Sequence, residues 1–203
     1  MTTYKIVQVG EPVLRQRARE LSREELATPA IQSLIVGMRD TMRDAPGVGL
    51  AAPQIGESLQ LVVIEDPPNL HAGLTPEQLA ERERAAVPFH VLVNPRMIVE
   101  DPGEVLAYEG CLSFSGFMMI VPRYRRVRVE ALNEHGQPVV VVGGGWYARI
   151  LQHELDHLRG IVCCDRMESR TLATQDNHLR HWRHLPIADV RATLGGMPSS
   201  DES

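Results

Sequence analysis

The sequence predicts an α+β domain in which mixed and antiparallel sheets wrap around a central buried helix. Three observations carry this. Strand-like runs occur in both halves of the chain, at 59–65 (LQLVVIE), 90–94 (HVLVN) and 127–142. A helical stretch from Trp146 to roughly Arg159 is apolar over much of its circumference, through Ile150, Leu151, Leu155 and Leu158, which places it inside a domain and not on it. The 203 residues, 43% hydrophobic and 23% charged, fit one globular domain and exclude wholesale disorder.

The elements follow in order. Thr28-Pro29 places a helix N-cap before a first-turn proline, and Ile31, Leu34, Ile35, Met38 and Met42 then recur at helical spacing as one apolar stripe. That helix ends near Asp44-Ala45-Pro46, where a Gly-rich loop begins. Residues 66–89 form a polar insertion between two strands, and the capping-box spacing of Thr75 and Gln78 predicts a short surface helix within it. Val127 to Leu132 alternates apolar and polar, Asn133 to Pro138 reads as a turn, and Val139 to Val142 completes a hairpin. Gly160 sits where it can end the buried helix as C′. Ile161-Val162 and the two cysteines after them read as a strand leaving it. Residues 1–190 are expected to form the single domain, with 191–203 a flexible tail.

Charge and cysteine usage narrow the function. Lys plus Arg is 21 against 26 Asp plus Glu, a net charge of −5, which argues against nucleic acid as main partner and against any sequence-specific reading of it. No run of about 18 apolar residues suggests a membrane span. Cys111, Cys163 and Cys164 are an odd set, and Met1 to Gly10 lacks a basic start followed by an apolar stretch. The expected compartment is therefore the reducing cytoplasm, where a thiol is a ligand, a nucleophile or core filler.

His153-Glu154-Leu155-Asp156-His157 is an HExxH pattern on the buried helix. Residues four apart share a helix face, so both imidazoles can reach one metal ion, while Glu154 is placed to move the proton of a metal-activated water. Burying two histidines and a glutamate on an apolar helix without partners would cost several kcal/mol, and a metal with its water supplies them. A catalytic metal usually has three protein ligands. Spacing alone leaves the third open among Cys111 upstream and Cys163, Cys164, Asp165, Glu168 and His178 downstream. On a strand, Cys163 and Cys164 would point opposite ways, so at least one is core filler.

Three blocks resemble those of peptide deformylases: Gly47-Val48-Gly49-Leu50-Ala51-Ala52-Pro53-Gln54, Glu109-Gly110-Cys111-Leu112-Ser113 and Gln152-His153-Glu154-Leu155-Asp156-His157. Their order and separation match, and the likeness runs from Gly10-Glu11-Pro12 to Asp165-Arg166-Met167. The resemblance implies a hydrolase that removes the formyl group from the N-terminal formyl-methionine of nascent polypeptides and releases formate. It implies Cys111, His153 and His157 as ligands of one divalent metal ion, natively Fe²⁺, with Zn²⁺, Ni²⁺ or Co²⁺ as substitutes. Metal-bound hydroxide would attack the formyl carbon, with Glu154 as general base and then acid, and Gln54 and the Leu112 N–H as donors to the oxyanion. By family position Val48, Gly49, Trp146 and Ile150 are expected to line or rim a pocket for an unbranched thioether side chain. Glu109 reads either as support for the Cys111 strand or as a solvated carboxylate. Met118 stands where many relatives carry a basic residue. The insertion and the Gly-Trp-Tyr-Ala-Arg run resemble the organellar-type branch, and with no transit peptide evident the expectation is a bacterial cytoplasmic member.

Two other readings share parts of this pattern. A zincin-like metallopeptidase would use HExxH without needing Cys111, and a ribosome-associated binding protein would have no use for Glu154. The segment Asn177 to His184, basic with aromatic character, reads as a helix packed on the domain, and is also the candidate for transient ribosome contact.

Overall fold

The computed structural model describes residues 3–195. Helix α1 (Arg23–Leu26) opens on a capping box between Ser22 and Glu25. Helix α2 (Pro29–Asp44) starts where expected: the Thr28 hydroxyl accepts from the Ile31 N–H, and Leu34, Ile35, Met38 and Met42 are buried. Strands β1 (Gly49–Ala51) and β2 (Leu61–Asp66) follow. The insertion carries helix α3 (Pro76–Glu81), capped by Thr75 and Gln78. Strands β3 (Val87–Cys111), β4 (Phe114–Leu132) and β5 (Pro138–Gly144) complete the main sheet. Helix α4 (Gly145–His157) comes next, then a two-residue strand β6 (Ala173–Thr174), helix α5 (Gln175–Asn177), a π turn at His178–Trp182 and helix α6 (Ile187–Leu194).

The strands are ordered β1-β2-β3-β4-β5, each pair antiparallel, with β6 added to β4 at Phe117 and Met118. An isolated parallel bridge joins Arg19 and Leu59. The short apolar runs of β2 and β3 are buried on both faces, and the period of two divides them cleanly. Val62, Ile64 and Leu92 pack with Leu151 and Leu155 of α4, whereas Leu61, Val63, Val91 and Val93 pack with Met38 and Met42 of α2. One helix thus covers each face, and α4 touches β1 to β5.

Strand β3 is far longer than the run at 90–94 suggests. Pro95 and Pro102 argue against a continuous strand, yet the register shifts between Val93 and Arg96 and between Asp101 and Glu104 fall at those prolines. Bulges absorb the missing N–H groups and bend the strand, so that one element runs from the core to Cys111.

Two further expectations are corrected. Cys163–Asp165 is a 3₁₀ turn and not a strand, because the Asp165 carboxylate accepts the Val162 N–H at 2.8 Å and closes the chain locally. The tail expected from 191 begins inside α6: Val190 is fully buried against Tyr108 and Ile120, and Arg191 pairs with Glu168 at 2.9 Å. The rest of that expected tail, 196–203, lies outside the described residues. Among the described residues no helix is long and apolar enough to cross a membrane.

Candidate active site

Helix α4 presents His153 and His157 one turn apart, and the end of β3 brings Cys111 to them. Ligand atoms of Cys111, His153 and His157 all lie within 4.8 Å of one another. Cys111 Sγ is 3.4 Å from His157 Nε2. Among the described residues this trio is the one group of His, Cys, Asp or Glu side chains close enough together to hold a metal ion.

The surroundings fit a cation. His157 Nδ1 and one Glu154 oxygen are buried without a hydrogen-bond partner. Burial drives the His157 pKa well below its ordinary value, keeping the ring neutral and able to ligate. Contact with the Cys163 thiol and burial push the Cys111 thiol pKa well above its usual value. A thiolate and two neutral imidazoles suit a borderline divalent transition metal. The group is therefore able to hold a metal ion.

His153 is oriented from behind. Its Nδ1 meets Glu109 Oε2 at 3.0 Å, leaving Nε2 toward Cys111 and His157. Burial alone would depress the His153 pKa, but the Glu109 carboxylate outweighs it and brings it up to about 9. Glu109 is 4% exposed, which decides between the two readings it had. Arg123 donates to both its oxygens at 2.9 and 3.0 Å, and Arg149 donates at 2.7 Å. Burial opposes its charge, yet His153 and Arg123 hold its carboxyl well below the usual range. Arg123 also pairs with Asp156, which Arg166 grips at 2.6 and 2.8 Å.

A cavity of about 540 Å³ opens over this group. Val48, Gly49, Gln54, Leu112, Trp146 and Ile150 all line it, with Cys111, His153 and Glu154 at its base. Trp146 and Ile150 also pack into the core around α4, so each is wall and core at once. Glu154 is 4% exposed, and burial pushes its carboxyl up to about 7. Gly49 lies against it: a Cβ there would sit 2.4 Å from Glu154 Oε1, so only glycine lets strand β1 approach. The Gln54 carboxamide is oriented by its oxygen, which accepts the Ala51 N–H at 2.8 Å. Its nitrogen is left 3.8 Å from Cys111 Sγ and 3.3 Å from Ser113 Oγ.

Comparison with known proteins agrees with this geometry. The sequence pattern of one family, polypeptide deformylase, matches residues 3–173. The chain belongs to that family. As a member of the polypeptide deformylases it is an enzyme, a hydrolase that removes N-formyl groups. It is 44% identical to peptide deformylase 1 of Streptomyces coelicolor over 94% of this chain and 85% of that one. It is 41% identical to peptide deformylase 1A, chloroplastic/mitochondrial, of Arabidopsis thaliana over 94% of this chain and 69% of that one. The crystal structure of the Met-Ala-Ser-bound class I type b peptide deformylase from Acinetobacter baumannii superimposes with a TM-score of 0.72 at 31% identity, covering 82% of this chain and 99% of that one.

Sequence reasoning missed the charged scaffold of this deformylase site. Arg123, Arg149, Asp156 and Arg166 belong to no motif, although Arg149, His153 and Asp156 stand at i, i+4 and i+7 on a helix otherwise apolar. A charge repeated on the buried face of such a helix was the available signal. Cys163 is also more than filler in position, since its thiol abuts that of Cys111.

Proposed function

We propose that this chain removes the formyl group from the N-terminal formyl-methionine of newly made polypeptides. The observation that carries the reading is a buried, partnerless Glu154 oxygen at the base of an apolar cavity, beside a three-residue group sized for one cation. Cys111, His153 and His157 would hold the ion, for which we take Fe²⁺ as native and Zn²⁺, Ni²⁺ or Co²⁺ as substitutes. Bound there, a divalent cation supplies Lewis acidity, polarising a carbonyl and lowering the pKa of water.

The protein's own residues do the rest. Glu154 accepts a proton from the attacking water and passes it to the amine nitrogen as the formyl C–N bond breaks, so that formate and a free N-terminus leave. The Gln54 amide and the Leu112 N–H donate to the formyl oxygen as it gains charge, each worth roughly 2.7–4 kcal/mol by comparison with other oxyanion donors. Val48, Gly49, Trp146 and Ile150 receive the methionine side chain. Met118 also lines the cavity, so later substrate residues meet an apolar surface where a basic one is usual. The relative with Met-Ala-Ser bound supports a peptide beginning with methionine as the product.

We place the reaction in the cytoplasm, on nascent chains. Transient ribosome contact would fall to exposed side chains such as Arg180 and His181, because Trp182 and His178 of the same segment pack on the domain. The deciding experiment is formate release from formyl-Met-Ala by anaerobically prepared Fe²⁺ protein, alongside metal analysis. Wild type should turn over, and Glu154→Gln should keep its metal while losing about 10²–10⁴-fold in kcat. A Glu154→Gln protein with wild-type turnover would remove the reading.

A further inference from the structure

The insertion between β2 and β3 packs on Trp146 from outside the cavity. Its residues 82–84 lie against the start of α4, where the Trp146 backbone N–H donates to the Arg82 carbonyl at 2.9 Å. The guanidiniums of Arg82 and Arg84 stand 5.6 and 5.2 Å from the centre of the Trp146 ring. Among the described residues the indole N–H has no hydrogen-bond partner, so its orientation rests on those cationic contacts and on packing. Arg84 is itself fixed, donating to both oxygens of fully buried Asp66 at 2.8 and 2.7 Å. His71 Nε2 lies 3.1 Å from the same carboxylate.

The backbone shows the same fixation. Glu83 holds a left-handed φ of 47°, uncommon for a residue with a Cβ and kept only where the surroundings demand it. Gly145, at φ 52°, faces it, and a Cβ at Gly145 would lie 2.3 Å from that of Glu83. Insertion and helix start are fitted to each other with no slack. Trp146 lines the cavity, so this contact passes directly to its wall.

We propose that Asp66 and Arg84 are positioning residues which, through the stacked Trp146, set the pocket for the first substrate side chain. This rests on the deformylase reading above. The insertion then governs which N-formyl residue is accepted, and leaves the hydrolytic step to the residues at the cavity base.

The test uses a Trp182→Phe background, in which Trp146 is the remaining tryptophan of the two. Arg84→Ala should lower the preference for formyl-Met-Ala over formyl-Val-Ala by about 3- to 10-fold through KM, with kcat within about twofold and metal content unchanged. Trp146 emission should shift and its anisotropy fall. Arg84→Lys keeps Asp66 neutralised, and with it the fold, but removes the planar group from the indole, so it should show the same direction of change. Unchanged selectivity and emission in folded Arg84→Lys would overturn the proposal, as would a loss confined to kcat. If wild type releases no formate from any formyl peptide, the deformylase reading fails by itself, while Trp146 emission still reports on the brace.

Discussion

The two helices that cover the sheet solve opposite problems. Helix α2 buries one apolar stripe against the odd face of β2 and β3 and leaves its polar side in water. Helix α4 is buried nearly throughout and carries Arg149, Gln152, Glu154, Asp156 and His157 inside with it. Each charge on α4 except that of Glu154 has an opposite partner at bonding distance, and Gln152 pairs with both backbone groups of Tyr124. A helix built only to pack needs spacing. One built to hold a reactive site needs a full set of counter-charges, because an unpaired buried charge costs several kcal/mol. Among the described residues three buried polar atoms on α4 have no partner: a Glu154 oxygen, His157 Nδ1 and the Trp146 indole nitrogen.

The comparison breaks most sharply at the thiols. Cys111→Ala should lose stoichiometric metal and turnover together, whereas Cys163→Ala and Cys164→Ala keep both, as read by metal analysis and formate release. Full metal and formate release in Cys111→Ala would remove Cys111 from the ligand set. A smaller effect is expected at Glu109→Gln, which loosens His153: metal affinity should fall about 10- to 100-fold in competition with a chelator. On the α2 face the cost goes elsewhere. Met38→Ala should reduce unfolding free energy by about 2–5 kcal/mol in a denaturant titration, with kcat/KM per folded molecule unchanged.

The smallest effect concerns pH. Glu154 must be ionised to act as a base, and burial raises its carboxyl to about 7, so activity declines as pH falls through its pKa. A neighbouring dication favours the ionised form and works against burial. The acid limb of kcat/KM is therefore expected below pH 7, falling about tenfold per unit, and absent in Glu154→Gln.

Period and capping chemistry sufficed for α2, α3, α4 and the hairpin of β4 and β5, since these depend on contacts between residues close in the chain. The HExxH pair was legible for the same reason. Three motif blocks in order were enough for the family, although none of them states a distance.

Tertiary structure alone decided what lies between distant segments. The meeting of Cys111 with His153 and His157 depends on a strand bent at two prolines. The burial of Glu109 depends on Arg123 and Arg149, which reach it from another strand and from the helix. Nor does anything in residues 66–89 alone announce that Arg84 ends over Trp146. Local rules constrain the chain over a few residues, whereas a buried charge is neutralised by whatever the fold places beside it, and that neighbour has no fixed separation in sequence.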